Sequence, residues 1–398
     1  MKKYISKSRA EGTVSVPTSK SMAHRLLIAA ALCKETSVIY GITPSDDVLA
    51  TIDCLSSLGV KIEYSDDRAV VTGIDFSKAP ASDPLNCRES GSTLRFIIPL
   101  CLLSENETIL LGSEKLLSRP QSVYEEIAVL KRESHRITLS GRLQPGEYRV
   151  RGDISSQFIT GLLFALSSLK DDSKIIITTK LESRSYIDLT ISAMAEFGVK
   201  VSWEGNSTLL IKGGQTYSAR NITVEGDWSG AAFIEAFNFI GGNVTVQGLN
   251  ESSLQGDKAY REHFKALALG CPEINIEDCP DLGPILFTLS AIKNGGRFIG
   301  TKRLKIKESD RALAMQEELQ KFGARLIIEE NAVTVEKRQL HAPNVPLYGH
   351  NDHRIVMSLA VISSLFGGEI DGCEAVKKSY PSFFEDINKL GILTYDIG

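Results

Sequence analysis

Several apolar helices in this sequence begin with cations, where elementary electrostatics disfavours them. The stretch "SVPTSKSMAHRLLIAAAL", residues 15–32, puts Lys20, His24 and Arg25 at such a start. "HNDHRIVMSLAV" puts His353 and Arg354 behind Asp352, a fitting N-cap. "LKIKESDRALAM" sets Lys307 and Arg311 around a start that Ser309 would cap, and Glu308 shares a helix face with Arg311. "ESGSTLRFIIPL" adds Gly91, Ser92, Thr93 and Arg95. A helix N-terminus already carries about half a positive charge, so each added cation costs roughly 0.3–1 kcal/mol. A docked anion reverses that sign, because main-chain N–H groups, dipole and Lys or Arg then act together on phosphate or carboxylate. One such start is ordinarily a solvated cation or an ion pair. Four of them, spread along the chain, predict a site for several negative charges.

Other residues fit the same chemistry less specifically. "GDISSQFITGLL" places Ser155, Ser156 and Gln157 before a helix, as caps or as donors to a polyol or phosphate. "LESRSYIDL" adds Ser183, Arg184 and Tyr186 at a strand-to-helix turn. Asp281, in "EDCPDLGPILFTL", is either an N-cap or a general base in a partly dry site. Arg119 in "SRPQS" and Lys377 and Lys378 in "AVKKSYPSFF" read alone as surface cations. His350 and His353 have no third ligand at metal spacing nearby, so a metal centre is not expected. No GxGxxG, P-loop or GxSxG pattern occurs, which leaves nucleotide and hydrolase readings without a motif.

The elements that position these residues repeat. "SDDVLATIDCLSSLGVKIEYSDDRAVVTG" from residue 45, "SYIDLTISAMAEFGVKVSWEGNSTLLIKG" from 185 and "SDRALAMQEELQKFGARLIIEENAVTVEK" from 309 share one pattern. Each reads as an amphipathic helix, a glycine in the left-handed stop position, then two strands joined by a polar turn. Weaker copies end at Gly270 and Gly391, and a further helix, "SVYEEIAVLKR", follows Arg119 without the glycine. Between these units lie more apolar helices near 21–33, 92–103, 156–169, 228–240, 283–293 and 353–365, which should be buried. Six copies predict an α/β chain of two lobes with three copies each, crossing over near 220–228. The first strand, "YISKSRAEGTVSVP", could belong to the second lobe.

Bulk composition agrees. A chain of 398 residues, 42% hydrophobic and 24% charged, is too long for one ordinary core and fits two globular domains. Its net charge of −4 gives no global basic field for nucleic acid, so anion sites must be local. Seven cysteines, none in CxxC, point to a reducing cytoplasm rather than a disulfide framework. No signal-peptide pattern opens the chain, and no apolar run reaches membrane-spanning length.

The ordered series "PTSKSMAHR", "ESGSTLR", "SRP", "SSQF", "SRSYID", "PD", "KIKESDR", "NDHR" and "KKSYPSFF" resembles the EPSP synthase family of enolpyruvyl transferases from about residue 15 to 390. The resemblance implies a two-lobed fold, each lobe three βαβαββ units, with helix N-termini facing a cleft that closes on its substrates. Residues 1–15 plus 225–398 would form lobe I, and 16–224 lobe II. Lobe I would carry phosphoenolpyruvate-side residues with Asp281, Lys307 to Arg311 and Arg354, and lobe II the phosphoshikimate side. Its implied reaction joins shikimate 3-phosphate to phosphoenolpyruvate and releases phosphate, with no cofactor or metal. Lys20 resembles the lysine meeting both substrates and assisting proton transfer, and Ser21 and Arg25 the contacts to the shikimate carboxylate. Gly91, Arg119, Gln157, Arg311, Arg354 and Lys378 match the phosphoenolpyruvate pocket. Ser155, Ser156, Gln157, Ser183, Tyr186 and Lys307 match the phosphoshikimate side, the three serines on its phosphate. Asp281 resembles the residue on the reacting 5-hydroxyl, and Glu308 the acid near the enolpyruvyl methylene. Partners would be these small molecules alone, with no nucleic acid or membrane, for a cytoplasmic monomer.

The chain departs from the family pattern at Glu89, Ser92, Phe96 and Arg303, and Arg88 is the adjacent candidate partner for Glu89. A sister enzyme acting on UDP-N-acetylglucosamine shares the fold, but "SSQF" and "KESDR" fit it less well.

Overall fold

The computed structural model describes residues 1–397 and divides into two compact units, Thr18–Glu225 and Met1–Pro17 with Gly226–Gly398. In the first, α1 (Lys20–Ala31), α2 (Asp46–Ser57), α3 (Gly91–Cys101), α4 (Ser156–Leu166) and α5 (Arg184–Glu196) pack on three four-stranded sheets. One sheet runs Asn221–Thr223, Thr36–Tyr40, Arg68–Thr72, Lys61–Ser65; its first pair is parallel and the rest antiparallel. Here the parallel strand Asn221–Thr223 comes from the far end of the unit. In the sheet of Thr108–Leu111, the parallel strand Leu85–Asn86 is joined to it through α3, the crossover a parallel pair needs, and the antiparallel hairpin Val129–Ser140 closes on a short turn. That is the βαβαββ unit.

The same order recurs in sheets containing Thr108–Leu111 and Ser173–Ile177 and, in the other unit, Gly296–Ile299 and Gly368–Asp371. The last of these borrows the chain start: Lys2–Ile5 lies antiparallel between Gly368–Asp371 and Thr394–Asp396. The sixth copy is reduced to a parallel pair, Glu11–Ser15 with Asn243–Gln247. This unit carries α6 (Trp228–Phe239), α7 (Tyr260–Leu269), α8 (Gly283–Ile292), α9 (Arg311–Gln320) and α10 (His353–Phe366).

Hydrophobic patterning explains the layers. The apolar helices are enclosed: Phe158 to Leu166 of α4 and Ile355 to Ile362 of α10 are fully buried. The hairpin strands alternate, so Leu326, Val333 and Val335 face the core while Ile327 faces out. Each unit has its own core.

Three local expectations change. Gly59, Gly198, Gly323 and Gly391 take the left-handed stop position, but Gly270 has φ 179° and is extended. "SVYEEIAVLKR" is helical only over Ser122–Glu125; Val129–Arg132 is a strand paired with Arg136–Ser140. The chain there is too short for both a full helix and the hairpin its sheet requires. Asp310, not Ser309, caps α9, accepting from the Leu313 N–H at 3.2 Å.

Candidate active site

In the unit 18–225, cations and polar groups gather at helix starts. Ser19 caps α1, and Lys20 follows it with Nζ 2.7 Å from Asp47 Oδ2 on the first turn of α2. Arg25 is 3% exposed. Its Nε donates to Thr190 Oγ1 at 2.8 Å, Nη1 to the Ser21 carbonyl at 2.6 Å and Nη2 to the Tyr186 carbonyl at 2.9 Å. No carboxylate lies within ion-pairing distance of it among the described residues. Burial lowers its pKa to about 10, so it stays cationic near neutrality with its charge uncompensated by the unit's own acids. A buried, unneutralised guanidinium held rigidly by neutral acceptors is suited to a carboxylate or phosphate ligand.

A second cluster joins α3, α4 and the segment after Gly112. Gln157 accepts from Arg95 Nη1 at 2.7 Å and donates to Ser92 Oγ at 3.0 Å, which fixes its amide orientation. Arg95 also donates to the Pro120 carbonyl at 3.2 Å and lies over the Phe158 ring. Arg119 Nε is buried with no hydrogen-bond partner among the described residues. A Cβ on Gly91 would stand 2.9 Å from Arg119 Nη1 and 3.6 Å from Gln157 Oε1. The structure therefore brings Gly91, Arg119 and Gln157 together. Ser155 caps α4, accepting from the Gln157 N–H at 3.3 Å. Ser183 precedes α5 in a left-handed conformation, φ 59°, an uncommon state for a residue with a side chain. Arg88 turns to Asp53 at 2.6 Å rather than to Glu89.

The starts of α1, α2 and α3 are tied by a dry polar chain. His24 Nδ1 lies 2.7 Å from Thr51 Oγ1, Thr51 lies 2.7 Å from Thr93 Oγ1, and Thr93 donates to Ser90 Oγ at 2.8 Å. Burial, then Lys20 and Arg25, hold the His24 pKa well below the usual histidine range, so the ring is neutral.

In the other unit, an ionic cluster centres on Asp281. It sits in the turn Pro280–Leu282 just before α8, and Lys307 Nζ (3.2 Å), Arg311 Nη1 (2.7 Å) and Arg354 Nη2 (3.3 Å) converge on it. Arg311 also meets Glu308 at 2.8 Å and, through Nε, Asp352 at 2.8 Å. Burial works against the Arg311 charge, yet Asp352, Glu308 and Asp281 outweigh it and hold its pKa above the ordinary value. Burial lowers the Lys307 pKa, with Arg311 and Arg303 adding to that effect and Asp281 opposing it. Arg354 is different: Nε and Nη1 are buried and have no hydrogen-bond partner among the described residues. Its guanidinium lies 5.5 Å over the Phe233 ring and offers unspent N–H groups. Lys378 Nζ donates to the Asn351 carbonyl at 2.6 Å.

Sequence reasoning did not find Asp47, the partner of Lys20, or Asp257, buried behind the ionic cluster with its pKa raised to about 6 by burial and then by Asp281. Asp47 reads as an ordinary dipole-matched acid in a first helical turn, and Asp257 falls in the short turn Gly256–Ala259 with no pattern around it.

A family model described as EPSP synthase (3-phosphoshikimate 1-carboxyvinyltransferase) matches residues 5–387. The chain belongs to the EPSP synthase family. It is 41% identical to the 3-phosphoshikimate 1-carboxyvinyltransferase of Clostridium kluyveri, over 98% of this chain and 97% of that one. The enzyme of the same name from Clostridioides difficile is 39% identical, over 96% of both chains. The EPSP synthase fold is also seen in a solved structure from Acinetobacter baumannii, with TM-score 0.80, 22% identity and 99% of both chains covered. That likeness carries the two-lobed, repeated βα architecture.

Proposed function

We propose that this chain transfers the enolpyruvyl group of phosphoenolpyruvate to the 5-hydroxyl of shikimate 3-phosphate, releasing phosphate, in aromatic amino acid biosynthesis. The observation that carries the reading, within the family, is a set of guanidiniums left for an external anion: among the described residues, buried Arg25 has only neutral partners and no carboxylate, and Arg119 Nε and Arg354 Nε and Nη1 are buried without a hydrogen-bond partner. Both substrates are multiply anionic, which is what such groups require.

The roles follow the chemistry. Ser155, Ser156 and Ser183 take the phosphate of shikimate 3-phosphate, with Gln157, Tyr186 and Lys307 on the same substrate and Ser21 and Arg25 on its carboxylate. Gly91, Arg119, Gln157, Arg311, Arg354 and Lys378 take phosphoenolpyruvate, and Lys20 meets both. The 5-hydroxyl adds to C2 of phosphoenolpyruvate as its methylene C3 gains a proton from Glu308. The hydroxyl proton passes to Asp281 or Lys20. The tetrahedral intermediate keeps both phosphates. Loss of a proton from C3 then expels phosphate and leaves the enol ether. Lys and Arg stabilise the leaving charge.

Two features support these roles. Asp281 already has three cations around it, so charge can be rebalanced there as protons move. Arg311, bound to three carboxylates, is a rigid anchor whose service to substrate is largely to hold Asp281 and Glu308 in place. The same reading takes the enzyme to be a cytoplasmic monomer. The compartment part of that reading is supported by the seven free cysteines, six of them buried, as a reducing environment keeps them.

The test is phosphate release from phosphoenolpyruvate. It should appear with shikimate 3-phosphate and not with UDP-N-acetylglucosamine. Release with the nucleotide sugar alone would assign the chain to the sister reaction.

A further inference from the structure

The segment that delivers Arg354 is bent against its own preference. His350 and Asn351 are both left-handed, with φ 49° and 50°. A residue bearing a Cβ pays to enter that region, and two in succession persist only where the surroundings over-determine them. Immediately after them, Asp352 caps α10 by accepting from the Arg354 N–H at 2.9 Å and pairs with Arg311 at 2.8 Å.

We propose that Glu318 and His350 are positioning residues: their hydrogen bond holds this left-handed turn, and the turn sets Arg354 and Lys378 for their anion. Glu318 is 2% exposed, on the last turn of α9. Its Oε1 lies 3.0 Å from His350 Nε2, and its Oε2 accepts from the Tyr348 N–H at 2.8 Å. Arg311, seven residues earlier on the same helix, holds Asp352. At 1.5 Å per residue the two attachment points are about 10 Å apart, so α9 is a template that clamps residues 348–352 at both ends. Further ties complete the turn: the Asp352 N–H donates to the Gly349 carbonyl at 2.9 Å, and Lys378 Nζ to the Asn351 carbonyl at 2.6 Å. A Cβ at Gly349 would meet Val356 at 2.5 Å, so the turn also lies tightly on α10.

Glu317 lies near the same imidazole, its carboxylate 3.8 Å away. A metal reading of this trio is disfavoured, because Lys321 Nζ already sits 2.8 and 3.0 Å from the two Glu318 oxygens. The carboxylate is committed to holding chain, not to receiving an ion.

The inference rests on the proposed contact of Arg354 and Lys378 with phosphoenolpyruvate, and the experiment separates the two ideas. His350→Ala and His350→Gly both remove the imidazole, but only glycine adopts the left-handed turn without strain. Amide exchange at Asp352 and Arg354 should quicken at least tenfold in the alanine variant and clearly less in the glycine variant. The KM for phosphoenolpyruvate should rise at least fivefold with alanine and fall back towards the parent with glycine, the KM for shikimate 3-phosphate staying within twofold. Exchange within threefold of the parent in His350→Ala would overturn the latch. So would a glycine variant as impaired as the alanine one, or a parallel rise in both KM values. Arg354→Ala, measured alongside, tests the site itself. If it leaves the phosphoenolpyruvate KM unchanged, the contact is wrong, and the exchange comparison alone still decides the latch.

Discussion

Gly91 has no room for a side chain, and the reason is local. It is the first residue of α3, so its backbone suits any residue, and the restriction is space alone. The added carbon would meet Arg119 Nη1 at 2.9 Å, the far end of a flexible side chain, and not the main chain. Gly91→Ala should therefore leave the fold intact and move Arg119. The melting temperature is expected to stay within about 2 °C, because no core contact is lost. The KM for phosphoenolpyruvate should rise about tenfold, the equivalent of roughly 1.4 kcal/mol, with the shikimate 3-phosphate KM nearly unchanged. An unaltered phosphoenolpyruvate KM would take Arg119 out of that pocket. Cations at helix starts were legible in the sequence because they break a dipole rule. Their acid partners were not: Asp47 and Asp352 obey that same rule and so carry no mark of a second task.

At the scale of elements, the problem is to keep several helix starts in register. In the unit 18–225 this falls to the chain His24, Thr51, Thr93 and Ser90, which crosses α1, α2 and the start of α3 and is wholly buried. Thr51→Val keeps the shape and removes the middle hydroxyl, leaving His24 Nδ1 without its partner. A buried polar group stripped of its partner costs about 1–3 kcal/mol, and the urea midpoint should fall accordingly at constant m-value. A midpoint equal to the parent's would mean that packing alone aligns these helices. The repeat itself was readable because helix, glycine stop and hairpin are local signals. Residues 122–132 misled for the opposite reason: their local pattern is helical, but Arg136–Ser140 needs a partner strand and takes Val129–Arg132. Sheet completion, a long-range demand, overrides a short amphipathic pattern.

For the whole molecule, the first residues were expected with residues 225–398, but the sequence could not say which strands they pair with. Lys2–Ile5 pairs with residues more than 360 positions away, and no local signal encodes that. Nor does net charge describe what a substrate meets. The chain carries −4 overall, yet among the described residues Arg25 has only neutral partners and Arg354 keeps buried N–H groups unspent. These two scales predict opposite salt effects. If the global charge governed association, multiply anionic substrates would be repelled, and added salt would lower their KM values. If the local guanidiniums govern, salt competes with and screens the attraction, and KM rises. Because those cations are largely buried, screening acts mainly on the approach; the Debye length is already about 10 Å at 0.1 M salt. Raising KCl from about 0.05 to 0.5 M should therefore raise both KM values roughly threefold to tenfold and change kcat by less than about twofold. A fall in KM with salt would show that the overall negative field, and not the guanidiniums, sets substrate capture.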